Sequence, residues 1–244
     1  HKDSSKVQDP YSFRCAPQVH GAVYEALTSM RETIQIELNS TTDNPLVFPE
    51  TTEHRSTIIS QGNFHGEILA LCADRMSLAL FELGSISERR MDQLLDSKKS
   101  GLPPFLANNS GLESGMMIVQ YSAGSALAEM HGHAAPRTAF STSTSAGQED
   151  HVSMGATACW NLYQSCIRLS EVLACELVIA CQGLEYTTLN PASFVKSLHK
   201  LVRTISPKLT KDRSISAELQ SIAEILREGT WLSRIEAENE RLVR

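Results

Sequence analysis

Three short stretches of this chain gather polar, charged and aromatic side chains more densely than a folding role requires. In the first, Gln8-Asp9-Pro10-Tyr11-Ser12-Phe13-Arg14-Cys15, the Asp-Pro pair marks a turn, and Gln8, Tyr11 and Arg14 recur every three residues. That spacing puts all three on one side of a turn-like or helical segment. A guanidinium grips a carboxylate through two parallel N–H donors, and a phenol beside it offers a hydroxyl for proton transfer or orientation. The second stretch, Gln61-Gly62-Asn63-Phe64-His65-Gly66-Glu67, sets an aromatic among glycines at the start of a helix. Unsatisfied N–H groups and partial positive charge face whatever lies above such a terminus. The third, Gly147-Gln148-Glu149-Asp150-His151-Val152-Ser153-Met154-Gly155, places an amide and two carboxylates before the most apolar run in the chain. A carboxylate held there can have its pKa tuned and serve as a base or as the partner of an ammonium group. Taken singly, each stretch has a plainer reading as a capped turn or helix start, and the residues leave that alternative open.

Other chemistries lack their motifs. There is no phosphate-binding G-x-x-x-x-G-K-[ST], no G-x-G-x-x-G after a strand, no H-E-x-x-H and no G-x-S-x-G. Nucleotide binding, zincin chemistry and serine hydrolysis are therefore unsupported. His131-Gly132-His133, with Asp150 and His151, has neither ligand spacing nor cysteine partners for a familiar metal framework, so these read as solvated loop histidines and no metal is expected. A formal charge of −6, with no basic stripe, argues against nucleic acid or an anionic membrane as partner. No apolar run of 18 residues suggests a membrane span. Six cysteines occur without a C-x-x-C pair, and the last four (Cys159, Cys166, Cys175, Cys181) fall in an apolar run. They read as buried thiols in a reducing, cytoplasmic setting. The chain opens on His1-Lys2-Asp3-Ser4 rather than Met, so the expectation is of a segment from inside a longer gene product, or of a tag remnant at His1.

The elements that must position these groups are helices. Val19, Val23, Leu27, Met30, Ile34 and Leu38 recur at intervals of three and four, which predicts a helix from Gln18 to Leu38. Asn39 to Pro49 breaks it with a turn-rich loop. A second helix is predicted from about Phe64 to Leu95 and a third from Ser114 to His131, with a Gly/Pro/Asn-rich loop between them. Ala134 to Gly147, rich in Ser and Thr, should be a loop. From about Gln148 to Leu184 there is no proline, and Glu149 and Asp150 would suit a first helical turn, so one central helix of roughly 50 Å is predicted. Its second half is apolar on nearly every face, so other helices should surround it. Asn190-Pro191 opens a further helix to about Ile205, and an amphipathic tail runs from Ser214. No strand-like alternation occurs. The fold class is all-α, an elongated bundle of long helices, divided into a helical core over residues 1–190 and peripheral C-terminal helices over residues 191–244.

Taken together and in order, QDPYSFRC, NSTTDNPLVF, QGNFHGE, SERRMDQLLD, SGLPPFL, QEDHVSMG and ACQGLEY resemble the histidine, phenylalanine and tyrosine ammonia-lyase and aminomutase family, over roughly Val7 to Tyr186. The Gly-Ser-Ser-Met-Pro-Lys loop of the fumarase-type lyases, another helical family, does not occur. The resemblance implies an electrophilic methylidene-imidazolone, built from an internal Ala-Ser-Gly that this chain lacks and that another segment or chain would supply. It further implies that Arg14 binds the substrate carboxylate and Tyr11 sits close to the electrophile and the reacting carbon. Gln8 and Phe64 would contact the same group and the substrate, and Gln148 and Glu149 would lie by the substrate amino or imidazole group. Tyr11 and Glu149 are the implied catalytic pair. The Gln148-Glu149-Asp150-His151 run favours a histidine-type substrate. Gly147 stands where family members usually carry Asn, and HGHAAPRTAFSTST differs from the family's usual loop. The implied activity is elimination of ammonia from an aromatic L-amino acid, as a fragment or subunit inactive alone, in a tetramer or heteromer. An aminomutase and a non-catalytic structural subunit are the alternatives.

Overall fold

Apolar spacing of three and four becomes helix here wherever glycine, proline or left-handed backbone does not interrupt it. The computed structural model describes residues 7–188, 190–231 and 233. Its helices are α1 (Tyr11–Arg14), α2 (Ala16–Glu37), α3 (Glu67–Leu95), α4 (Ser97–Ser100), α5 (Met117–His133), α6 (Gly155–Leu184), α7 (Ser193–Ile205) and α8 (Ser216–Glu228). The fold is all-α apart from one small antiparallel hairpin, β1 (Leu46–Phe48) and β2 (Thr57–Ile59), in which Val47 faces Ile58. The hairpin was not anticipated, because a three-residue strand is too short to display alternation.

The central helix α6 packs against α3, α5 and α8, while α2 lies along α3. Met91 of α3, Met130 of α5 and Val172, Val178 and Ile179 of α6 are fully buried at this seam. Each such side chain contributes about 1.5–3 kcal/mol over leaving it in water. The tail is tied to the same core through Gln182, itself fully buried. Its side-chain amide donates to the Leu209 carbonyl (2.9 Å), and its oxygen accepts from the Leu209 N–H (3.1 Å) and from Arg203 (3.3 Å). No helix among the described residues is long and apolar enough to cross a membrane.

Three expectations are corrected. The central helix begins at Gly155 rather than Gln148, so Glu149 and Asp150 lie outside it. Non-glycine residues Ser145, Ala146 and Met154 adopt left-handed backbone with φ of 50°, 55° and 54°, and Thr144 and Glu149 exchange backbone hydrogen bonds of 2.9 and 3.3 Å. The segment is thereby folded into a strap ahead of the helix. Phe64 precedes α3 in a 3-10 turn (Asn63–His65), because Gly66, at φ 72°, separates that turn from the helix. Finally, of the four late cysteines only Cys175 and Cys181 are buried, and burial pushes their thiols up to about 12 and about 11. Cys159 and Cys166 are exposed on the first half of α6, whose outer face also shows Trp160 and Tyr163 to solvent. All six cysteines are free. Most of the predicted tail beyond α8 lies outside the described residues.

Candidate active site

The first stretch forms a single helical turn. Proline at position 10 starts α1 with its carbonyl accepting from the N–H groups of Phe13 and Arg14. Tyr11 and Arg14, three apart, then share a side, with the guanidinium 4.6 Å from the centre of the Tyr11 ring. Both are exposed, Tyr11 by 69%, and Gln8 lies exposed just before the turn. A guanidinium stacked on an aromatic face keeps its in-plane donors free for a carboxylate.

The second and third stretches meet at the opposite end of α3. Ser153 donates through its hydroxyl to the His65 carbonyl at 2.9 Å, and the Val152 N–H donates to the Ser141 hydroxyl at 2.9 Å. The imidazoles of His65 and His151 stack with centroids 5.3 Å apart. The preceding loop is pinned by buried Asp74, whose carboxylate accepts from the Thr138 N–H and hydroxyl at 2.9 and 2.8 Å. Phe64, 56% exposed, and the exposed Gln148 and Glu149 stand beside this junction. The Thr144 hydroxyl donates to the Glu149 carboxylate at 2.5 Å, and this bond, with one from Ser145, holds the carboxyl below its ordinary range. Glu149 is therefore kept ionised, as a partner for a cation must be.

The Gly147 departure has a geometric reason. Its φ is 90°, a backbone region open to glycine and, among side-chain-bearing residues, best tolerated by Asn. Gly and Asn thus answer the same local demand.

One chain does not bring all the candidate residues together. Phe13 of α1 lines a cleft of about 480 Å³ with Arg90, Gln93 and Leu94, near the C-terminal end of α3, whereas Phe64 and Glu149 lie at its N-terminal end. Between Glu67 and Arg90 the helix axis advances about 35 Å at 1.5 Å per residue. Local motifs could identify each group, but the length of α3 decides how far apart they stand. The contact of His65 with His151, 86 residues later, had no local signal.

Residues 1–204 match the aromatic amino acid lyase family, and the chain belongs to that family, whose members carry out carbon–nitrogen lyase chemistry. It is 43% identical over 236 residues to a histidine ammonia-lyase of Stigmatella aurantiaca, covering 96% of this chain and 46% of that relative. The structure is similar to histidine ammonia-lyase from Trypanosoma cruzi, with TM-score 0.88, 39% identity, and 94% of this chain and 45% of that one covered. It is also similar to a tyrosine aminomutase from Streptomyces globisporus, with TM-score 0.89, 32% identity, and 97% and 44% covered. The chain thus spans a little under half the length of these relatives.

Proposed function

We propose that this chain forms part of an ammonia-lyase that eliminates ammonia from L-histidine. The observation that carries the reading is the exposed Tyr11–Arg14 pair, a carboxylate-gripping guanidinium held on the phenol that would face the reacting carbon. Arg14 binds the substrate carboxylate through two parallel donors. The Tyr11 hydroxyl holds or moves a proton beside the reacting carbon. Glu149, kept anionic by Thr144 and Ser145, takes the substrate ammonium or imidazole, with Gln148 as a further donor beside it. Phe64 forms an aromatic wall.

A methylidene-imidazolone, supplied by another segment or chain, provides the electrophile. The residues present suit it, since Tyr11 and Phe64 are large aromatics left open to solvent and Gln8 offers an amide next to Tyr11. An amino-acid substrate is far shorter than the roughly 35 Å that separates the two ends of α3 at 1.5 Å per residue. A working site therefore combines Tyr11 and Arg14 of one copy with Phe64 and Glu149 of another, in a tetramer or heteromer, and the chain alone is inactive. Exposed Tyr24, Leu71, Leu78, Trp160 and Tyr163 supply apolar surface for such assembly. Six free thiols support a cytoplasmic setting.

The test is complementation. Arg14→Ala and Glu149→Gln are each prepared in the full-length protein, then co-assembled, and urocanate and ammonia are measured from L-histidine. Each variant alone should be nearly inactive, and mixed assemblies should regain a fraction of activity at sites that receive both wild-type residues. No recovery, with assembly intact, would refute a shared site. The likeness to a tyrosine aminomutase supports a second reading, isomerisation of an aromatic α-amino acid to its β-isomer, which product analysis with L-tyrosine and L-histidine separates.

A further inference from the structure

We propose that His65, Glu67 and His151 form a binding site for a divalent transition-metal ion of the Zn²⁺ class. The three offer one ligand atom each, all within 4.8 Å of one another. His65 Nε2 and His151 Nδ1 face each other at 3.3 Å. Tetrahedral coordination with Zn–N bonds of about 2.0–2.1 Å sets neighbouring nitrogens about 3.3–3.4 Å apart, so the imidazole pair already has the edge length that one shared ion imposes. The His151 carbonyl oxygen, 3.1 Å from the same His65 nitrogen, is a further oxygen at a similar distance.

Glu67 supplies the anionic member. Its Oε2 is shielded from solvent and makes no hydrogen bond, with His65 Nδ1 at 3.7 Å. A shielded carboxylate oxygen without a donor is costly, and a cation offsets that cost. Glu67 Oε2 faces the other nitrogen of His65, so the proposed site closes when the carboxylate turns toward the imidazole pair. The backbone is fixed around them: Ser153 anchors the strap to the His65 carbonyl, and Val152 is held by Ser141. Two imidazoles and a carboxylate with exposure on the His151 side make the donor set of an open zinc site rather than of a closed structural one. No calcium or magnesium preference follows, since those ions select all-oxygen sets.

The absence of ligand spacing in the sequence concerned His131, His133, Asp150 and His151; the fold instead pairs His151 with His65 of the 3-10 turn and with Glu67, the first residue of α3. The inference does not depend on the lyase reading, because it concerns ion binding alone. An ion there would clamp the strap carrying Glu149 to α3.

The experiment uses untagged full-length protein stripped with a chelator. Zn²⁺ is titrated calorimetrically, and Co²⁺ is added separately to read tetrahedral coordination from its visible absorption. One Zn²⁺ per chain is expected, with about tenfold or greater weakening in His65→Ala, His151→Ala and Glu67→Gln and loss of the cobalt spectrum in the histidine variants. His151 is exposed, so unchanged circular dichroism in His151→Ala separates loss of a ligand from loss of the fold. Absence of binding, or binding undiminished in both histidine variants, overturns the proposal. So does Zn²⁺ that survives in His151→Ala but is lost when Cys159 and Cys166 are alkylated.

Discussion

Arg14→Ala separates a binding role from a structural one, because the structure assigns the side chain so little of the fold. Its described contact is the stack on Tyr11, with the guanidinium carbon 4.6 Å from the ring centre at an exposed position. Such a contact is worth about 0.5–1 kcal/mol. The α1 turn is closed by backbone bonds to Pro10 and Tyr11 that the substitution leaves in place. For a protein of this size or larger, that loss lowers Tm by no more than about 4 °C. Removing one partner of a desolvated, doubly hydrogen-bonded charge pair costs about 2–5 kcal/mol. At about 1.4 kcal/mol per tenfold, kcat/KM for L-histidine should fall by a factor between about 30 and several thousand, largely through KM. Arg14→Lys keeps the charge and loses the fork, so it should fall between the two. The assay is initial-rate kinetics on the full-length protein beside a thermal melt. An unchanged KM, or a Tm loss large enough to account for the lost activity, would refute the assignment.

Thr144→Val removes the leading cause of the lowered Glu149 pKa, so the carboxyl pKa rises. The ionised form exists above that pKa and is lost as pH falls through it; the acid limb of the kcat/KM profile should therefore move to higher pH, and an unmoved limb excludes Glu149 from the rate-determining ionisation. Gln182→Leu preserves volume but leaves the Leu209 N–H and C=O without their partner in the interior, at about 1–3 kcal/mol each. Chemical denaturation should show a loss of about 2–6 kcal/mol, and a neutral result would mean that water or a shifted backbone replaces the amide. At Gly115, with φ of 56°, an added Cβ would lie 2.5 Å from the Phe105 carbonyl oxygen, which already accepts from Met116 at 2.9 Å. Gly115→Ala should destabilise by about 2–4 kcal/mol from left-handed strain and overlap together, and a melt within a degree of wild type would contradict that geometry.

What the sequence made legible follows from the range of the interactions involved. The periodicity of α2 is local, so Val23, with the half-buried Val19, Met30 and Ile34, could be assigned to one packed face before any tertiary contact was known, whereas Leu27 and Leu38 of the same pattern stay exposed. The start of α6 was not legible, because nothing in the residue types of Ser145, Ala146 or Met154 signals positive φ; their conformation comes from the Thr144–Glu149 bridge and the Ser141 and His65 anchors. The same limit applies to the cysteines. The apolar run suggested burial for all four, but the outer face of α6 at Cys159 and Cys166 meets no other described helix closely enough to cover it.

The candidate site follows the same rule at larger scale. Gln8, Tyr11 and Arg14 are a local pattern, as are Gln148 and Glu149, and both patterns are legible in the sequence alone. Their separation is a property of α3, a 29-residue rod with one group near each end. A rod of that length keeps the two halves of the proposed chemistry apart within a chain and presents each at a surface. Under the proposed shared site, the exposure of Tyr11 and Phe64 is an expected feature rather than a defect, since another segment or copy would supply the surfaces that complete them. On that proposal, positioning, which contributes much of an enzyme's rate advantage, would depend on assembly as well as on the helix that carries each residue.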